Sequence, residues 1–171
     1  MRKRNAIIGL AIVAVVGGWY AFRPERLFVN RTVNESLGAV TATPDAMSAS
    51  APAAAVAPAT LAMGSFHSNA HDTRGMAAVI DVGGGHRVLR LTNFATSNGP
   101  DVRVYLVAAA DVQDNSTVKS VDHVELGPMK GNIGDQNYDI PPTVDLATYR
   151  TVTIWCKRFG VNFGSAPLAK S

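Results

Sequence analysis

TVTIWCKRFGVNFG, residues 151–164, reads as one strand, a tight bend and a second strand, and the rest of the chain is best read outward from it. In a strand, successive side chains point to opposite faces. Val152, Ile154 and Cys156 therefore share one face, and Thr151, Thr153 and Trp155 the other. The first face is wholly apolar and belongs in a core. Cys156 is the only cysteine in the chain, and Trp155 is one of two tryptophans. A free cysteine usually packs as a small buried hydrophobe. Lys157 and Arg158 supply positive charge that could lower a nearby thiol's pKa, but strand geometry sends Lys157 to the face opposite Cys156. The packing role is the stronger reading of these residues.

The 171 residues suffice for one ordinary domain with appendages. The net charge of +3 is unevenly placed. Up to Thr60 there are six basic residues against Glu25, Glu35 and Asp45; the remainder carries ten of each sign. The folded part is thus neutral and has no Lys/Arg stripe, which argues against nucleic acid as a partner. Residues 6–22, AIIGLAIVAVVGGWYAF, contain no charge. As a helix they would span roughly 26 Å, close to a ~30 Å hydrocarbon core. Arg2, Lys3 and Arg4 precede them, and Trp19 and Tyr20 sit where interfacial aromatics belong. A cleavable signal peptide needs small residues before the cut; Trp19 fits poorly there, so an uncleaved signal anchor is the better expectation. The basic N-terminal side places residues 1–5 in the cytoplasm and the rest outside, periplasmic or at the cell surface. Residues 23–60 lose pattern and become rich in Ala, Pro, Ser and Thr, with prolines at 44, 52 and 58. They read as a flexible tether with a reach of about 35 Å r.m.s..

Residues 61–171 form the globular part. Helical periodicity is scarce, and short β-like runs alternate with Gly, Asn, Asp and Pro clusters. Strands are expected at 76–82, at 87–92 with Leu89 and Leu91 inward, and at 102–106 with Val102, Val104 and Leu106 inward. Further strands fall at 121–126 on a sheet edge, at 137–140, and in the closing pair. Gly83-Gly84-Gly85 is a hairpin turn. Residues 111–120 read as a polar loop, and a single helical turn is expected at 143–148. The fold class is all-β, an antiparallel sandwich or small barrel, preceded by one transmembrane helix and a flexible linker.

Several pieces recur in a recognisable order. They are Gly64-Ser65-Phe66, His71 and Gly75; Leu89-x-Leu91-x-Asn93-Phe94; Gly99-Pro100-Asp101-Val102 with Val104-Tyr105-Leu106; Leu126-Gly127-x-Met129-Lys130-Gly131; Gly134-x-Gln136-x-Tyr138-x-Ile140-Pro141; and Tyr149-x-x-Val152-x-Ile154-Trp155-Cys156-x-x-Phe159-x-Val161-x-Phe163-Gly164-x-Ala166-x-Leu168. In this the chain resembles the DM13 domain family over essentially all of residues 61–171. Met129 stands where the family usually has Leu. The resemblance implies an extracytoplasmic all-β electron-transfer module, in which the Trp-Cys cysteine serves as a bare thiol or holds a prosthetic group such as haem. By that resemblance Cys156 carries the role, with His71 and Trp155 beside it as cofactor-binding candidates.

One cysteine makes no internal disulfide, so in an oxidising compartment Cys156 is shielded, joined to another chain, or functional. A haem would want a second ligand or a distal pocket, with His67, His71, His86, His123, Met63, Met76 and Met129 as candidates. Cys-x-x-Cys-His is absent, which excludes covalent c-type haem by that motif. His67 and His71 are four apart, a spacing that aligns ligands only on a helix; their setting reads as a turn, and no metal site is assigned. Asp135, Asp139 and Asp145 with Asn132 and Asn137 lack EF-hand order. No hydrolase or phosphate-binding motif occurs. The expectation is a membrane-tethered redox or electron-transfer module with a redox partner protein, rather than a turnover enzyme. The alternative is a cell-surface binding module with a structural cysteine, and a third option is a dimer linked through Cys156.

Overall fold

The computed structural model describes residues 2–22, 29–37 and 57–170. The first element is helix α1 (Arg2–Phe22). It lies on the residues expected for the anchor, and its described large apolar side chains, Ile8 to Tyr20, are 51–74 % exposed. No helix among the described residues is long and apolar enough to cross a membrane.

The strands are β1 (Ala59–Ser65), β2 (His67–Ser68), β3 (Arg74–Gly83), β4 (His86–Ala95), β5 (Val102–Val107), β6 (His123–Pro128), β7 (Ile133–Ile140), β8 (Thr151–Cys156), β9 (Val161–Pro167) and β10 (Ala169–Lys170). A short helix, α2 (Asn115–Ser120), separates β5 from β6. The strands form two five-stranded sheets, ordered β10-β1-β3-β4-β7 and β2-β9-β8-β5-β6, with antiparallel pairing throughout. This is the expected sandwich. Its core comes from alternating inward positions: Leu89 and Leu91 of β4, Val104 and Leu106 of β5, and Val152, Ile154 and Cys156 of β8. β6 is an edge strand, as expected for 121–126, with Val124 and Leu126 packed inward.

One expectation is corrected. Residues 111–120 are not only loop: Asp114 caps α2 by accepting the Thr117 N–H, and Val118 is buried. The segment at 143–148 makes the single turn expected, in which Asp145 accepts the Thr148 and Tyr149 N–H groups through its carbonyl.

Residues 29–37, read as part of the tether, are held against the domain. Thr32 bridges Ile133 in parallel orientation. Val33 N–H donates to the Ile133 carbonyl at 2.9 Å, and Glu35 N–H to the Asp135 carbonyl at 2.9 Å. Ile133 N–H donates back to the Arg31 carbonyl at 3.3 Å. The outer edge of β7 is thereby covered, which removes an exposed row of backbone donors and acceptors. Two glycines allow the approach. A Cβ on Gly131 would meet the Arg31 carbonyl, and one on Gly134 would meet the Val33 carbonyl; Gly134 also has φ +100°.

Candidate functional site

Cys156 ends β8, 1 % exposed, among the apolar side chains between the two sheets. No hydrogen bond to its sulfur occurs among the described residues. Its cross-strand neighbour is Val102 on β5 and, on the other side, Val161 on β9. Residues directly opposite in an antiparallel pair share a face, with Cβ atoms about 5 Å apart. The Val102 side chain therefore lies beside the thiol.

Val102 also lines a pocket of about 570 Å³ at that end of the sandwich, a size within the range of small-molecule sites. Its walls come from three stretches. One is Asn98 to Arg103, one is Pro128 to Asn132, and the third is Val29, Asn30 and Arg31 of the strand along β7. Two of the cations in these walls are paired with carboxylates. Arg103 reaches Asp101 at 2.6 Å and Glu125 at 2.8 Å, and its hydrogen bond to Asp101, ahead of every other influence, holds it more basic than usual. Lys130 reaches both oxygens of Glu35 at 2.8 and 2.9 Å. Burial pushes the Glu35 carboxyl up. Hydrogen bonds from Lys130 and the Asn137 N–H, with the charges of Lys130 and Arg90, outweigh that and leave it below the usual range.

The Lys157 ammonium is turned to Glu125, 3.0 Å away. The alternation that places it opposite Cys156 is thus met by an ion pair on the outer side. That bond, with the charge of Arg103, outweighs the upward push of burial and keeps the Glu125 carboxyl below its ordinary value.

Trp155, 6 % exposed, points away from Cys156 into a second cluster on the outer face of the sheet. Tyr105, Val107, Val112 and Val118 complete it. Both faces of β8 are therefore buried, the inner one by the opposing sheet and the outer one by α2 and the loop before it. Tyr105 stacks on His123, ring centroids 4.8 Å apart. Its hydroxyl donates to Glu125 at 3.4 Å, and burial first, then the charge of Glu125, raises its pKa to about 12.

His71 packs its ring against Phe163, centroids 3.8 Å apart, and Phe163 belongs to the same core cluster as Cys156. His67 lies in β2 and bonds Asp111 at 2.8 Å through Nε2. The two histidines thus serve different contacts, and no cluster of three or more metal-ligating side chains occurs among the described residues. A more polar pocket of about 640 Å³ opens beside His67, Asn69, Asp114 and Asn162. A smaller one, about 220 Å³, lies near Arg74 and Thr96. None of these three pockets is lined by Cys156, His71 or Trp155.

Residues 65–168 match the model of a family described as electron transfer DM13. The chain belongs to the DM13 family. No curated protein and no solved structure matches it. A redox role in general follows from the family. Two of the motif pieces read from the sequence, Gly99-Pro100-Asp101-Val102 and Met129-Lys130-Gly131, line the pocket next to Cys156. Sequence reasoning singled out Cys156 but not this pocket. The recurrence of both loops in one pattern was the available signal. A haem held by Cys156 does not fit the closed arrangement, because the sulfur opens onto none of these three pockets and is enclosed by packed side chains.

Proposed function

We propose that this DM13 domain is an electron-transfer module held at the outer side of a membrane, with Cys156 as its working thiol. The observation that carries the reading is the place of Cys156: a shielded thiol separated by the Val102 side chain from a pocket built of the family's own loops. An electron, unlike an atom, crosses such a wall without moving it. In the transfer, one electron leaves the sulfur for a one-electron oxidised partner protein docked at the pocket, and the thiol proton leaves to water during a transient opening of the Val102 wall, which is closed in the resting state. An electron from a reduced partner, with a proton, restores the thiol. Support for the membrane comes from the charge-free run at 6–22 behind Arg2, Lys3 and Arg4, and from apolar side chains exposed around α1. A helix apolar on all sides is one that is buried in protein or lipid.

The test uses the full chain, extracted from membranes, beside its Cys156→Ala variant. A one-electron oxidant dye should be reduced by the parent and not by the variant, and both should lack a Soret band. A Soret band lost in the variant would make Cys156 a haem ligand instead. A chain found in the soluble fraction, without extraction, would remove the membrane from the proposal. A second reading, a binding module with a structural cysteine, is favoured by the absence of any hydrogen bond to the sulfur. Equal behaviour of parent and variant toward the dye would establish it in place of the first.

A further inference from the structure

The strand at 29–36 is joined to β7 by more than shape. Its backbone follows the β7 edge in parallel, and one side chain fixes its register. The Glu35 carboxylate accepts from Lys130 Nζ through both oxygens and from the Asn137 N–H at 2.8 Å. The Glu35 carbonyl accepts from Arg90 at 3.0 Å. Upstream, the Arg31 N–H donates to Asn132 Oδ1 at 2.7 Å. The receiving side is built entirely within residues 65–168, the part that matches the family, whereas the strand lies outside it. Gly131 and Gly134 are the places where a side chain would collide with the strand's backbone. Glycine within a strand often marks close approach by another backbone.

We propose that the outer edge of β7 is a receptor for an extended, carboxylate-bearing peptide strand, and that residues 29–36 are its resident, displaceable ligand. This is strand addition to a sheet edge. Main-chain hydrogen bonds supply the general affinity, and a side-chain site supplies selectivity. The side-chain site is the Lys130 ammonium with the Asn137 N–H, and it selects an acidic residue two positions after the one aligned with Val33. The resident strand reaches β1 through residues 37–58. Covalent linkage of this length gives a local concentration of order mM, so a competing strand displaces it only when it is abundant or binds more tightly. Partners of this class are proteins that present an exposed Val-x-Glu segment in extended form. Exchange would also remove Val29, Asn30 and Arg31 from the pocket wall.

The test is made on the full chain by amide hydrogen exchange with Val33→Pro, which deletes the Val33 N–H bond to Ile133. Exchange at Ile133, Asp135 and Asn137, whose N–H groups face the strand, should rise at least tenfold. The β7 amides that face β4 should stay protected. A synthetic peptide of residues 29–36 should then bind the variant saturably and restore protection, and a peptide carrying Glu35→Lys should bind at least tenfold more weakly. In the parent chain the unmodified peptide should need millimolar concentration to bind. Unchanged exchange in Val33→Pro, or an exposed edge that the peptide does not protect, would overturn the proposal. Loss of protection throughout β7 would also overturn it, by making the strand part of the folding core rather than a ligand.

Discussion

Replacing Cys156 in two ways separates a dry, inert sulfur from one that communicates with solvent. Cys156→Ser keeps the volume but places an O–H where the sulfur makes no hydrogen bond among the described residues and only 1 % of the residue is exposed. Burying an unsatisfied hydroxyl costs about 1–3 kcal/mol. Cys156→Ala removes one heavy atom and leaves a small void, at about 1 kcal/mol. Serine should therefore be the more damaging change, by about 1 kcal/mol. In a domain of this size each kcal/mol corresponds to roughly 4–8 °C in Tm, so the gap between the two variants is measurable by thermal unfolding. Urea titration of the full chain gives the same ordering if the transition midpoints differ and the slopes agree. A serine variant as stable as the alanine variant would refute the reasoning. Water, or a polar group, would then reach the sulfur in the native state, and the Val102 wall would be open.

Three further outcomes are expected. Asp114→Ala should cost about 1 kcal/mol and speed amide exchange in Asn115–Ser120, leaving the sheet amides protected. Trp155→Ala should cost about 3–5 kcal/mol, seen in denaturant midpoints, because it empties the cluster beneath α2. Acidification should loosen the strand along β7 before the sheet. The Glu35 carboxyl is lowered in the folded state from a reference of 4.5, so its contribution is present above about 4.5 and is lost as pH falls through the lower folded value. Exchange at Ile133, Asp135 and Asn137, corrected for the intrinsic pH dependence, should rise in that window, and Glu35→Gln should remove the effect.

Much of the sandwich is legible because alternation reports burial directly. Leu89 and Leu91, Val102 to Leu106, and Val152 to Cys156 alternate where one face meets the opposing sheet. The outer cover on Trp155 is not legible in that way. Its roof, α2, has six residues with one buried apolar side chain, too little to set a helical period; the cap at Asp114 with Thr117 three residues later was the only local signal. The strand at 29–36 is harder still. It is held by its backbone and by polar groups, so hydrophobic pattern carries almost nothing of it. The clue lay on its receptor, as Gly131 and Gly134 beside or within a strand. Of the candidate residues, Cys156 stood out by being unique, while His71 and Trp155 lie in different surroundings, beside Phe163 and in the outer cluster respectively.

The clasp at β7 resets the length of the leash. Between Phe22, where α1 ends, and Ala59, where β1 begins, there are 36 residues, a contour of up to about 125 Å. With the strand seated, the first fixed point is Val29, and only six residues, 23–28, separate it from α1. Six residues cannot span more than about 21–25 Å. If α1 sits in a bilayer, the pocket wall formed by Val29 to Arg31 is then kept within one small-domain diameter of the lipid surface. Partners confined to that same surface would meet the pocket by two-dimensional diffusion in a thin layer, while those free in the bulk would have to approach the membrane first.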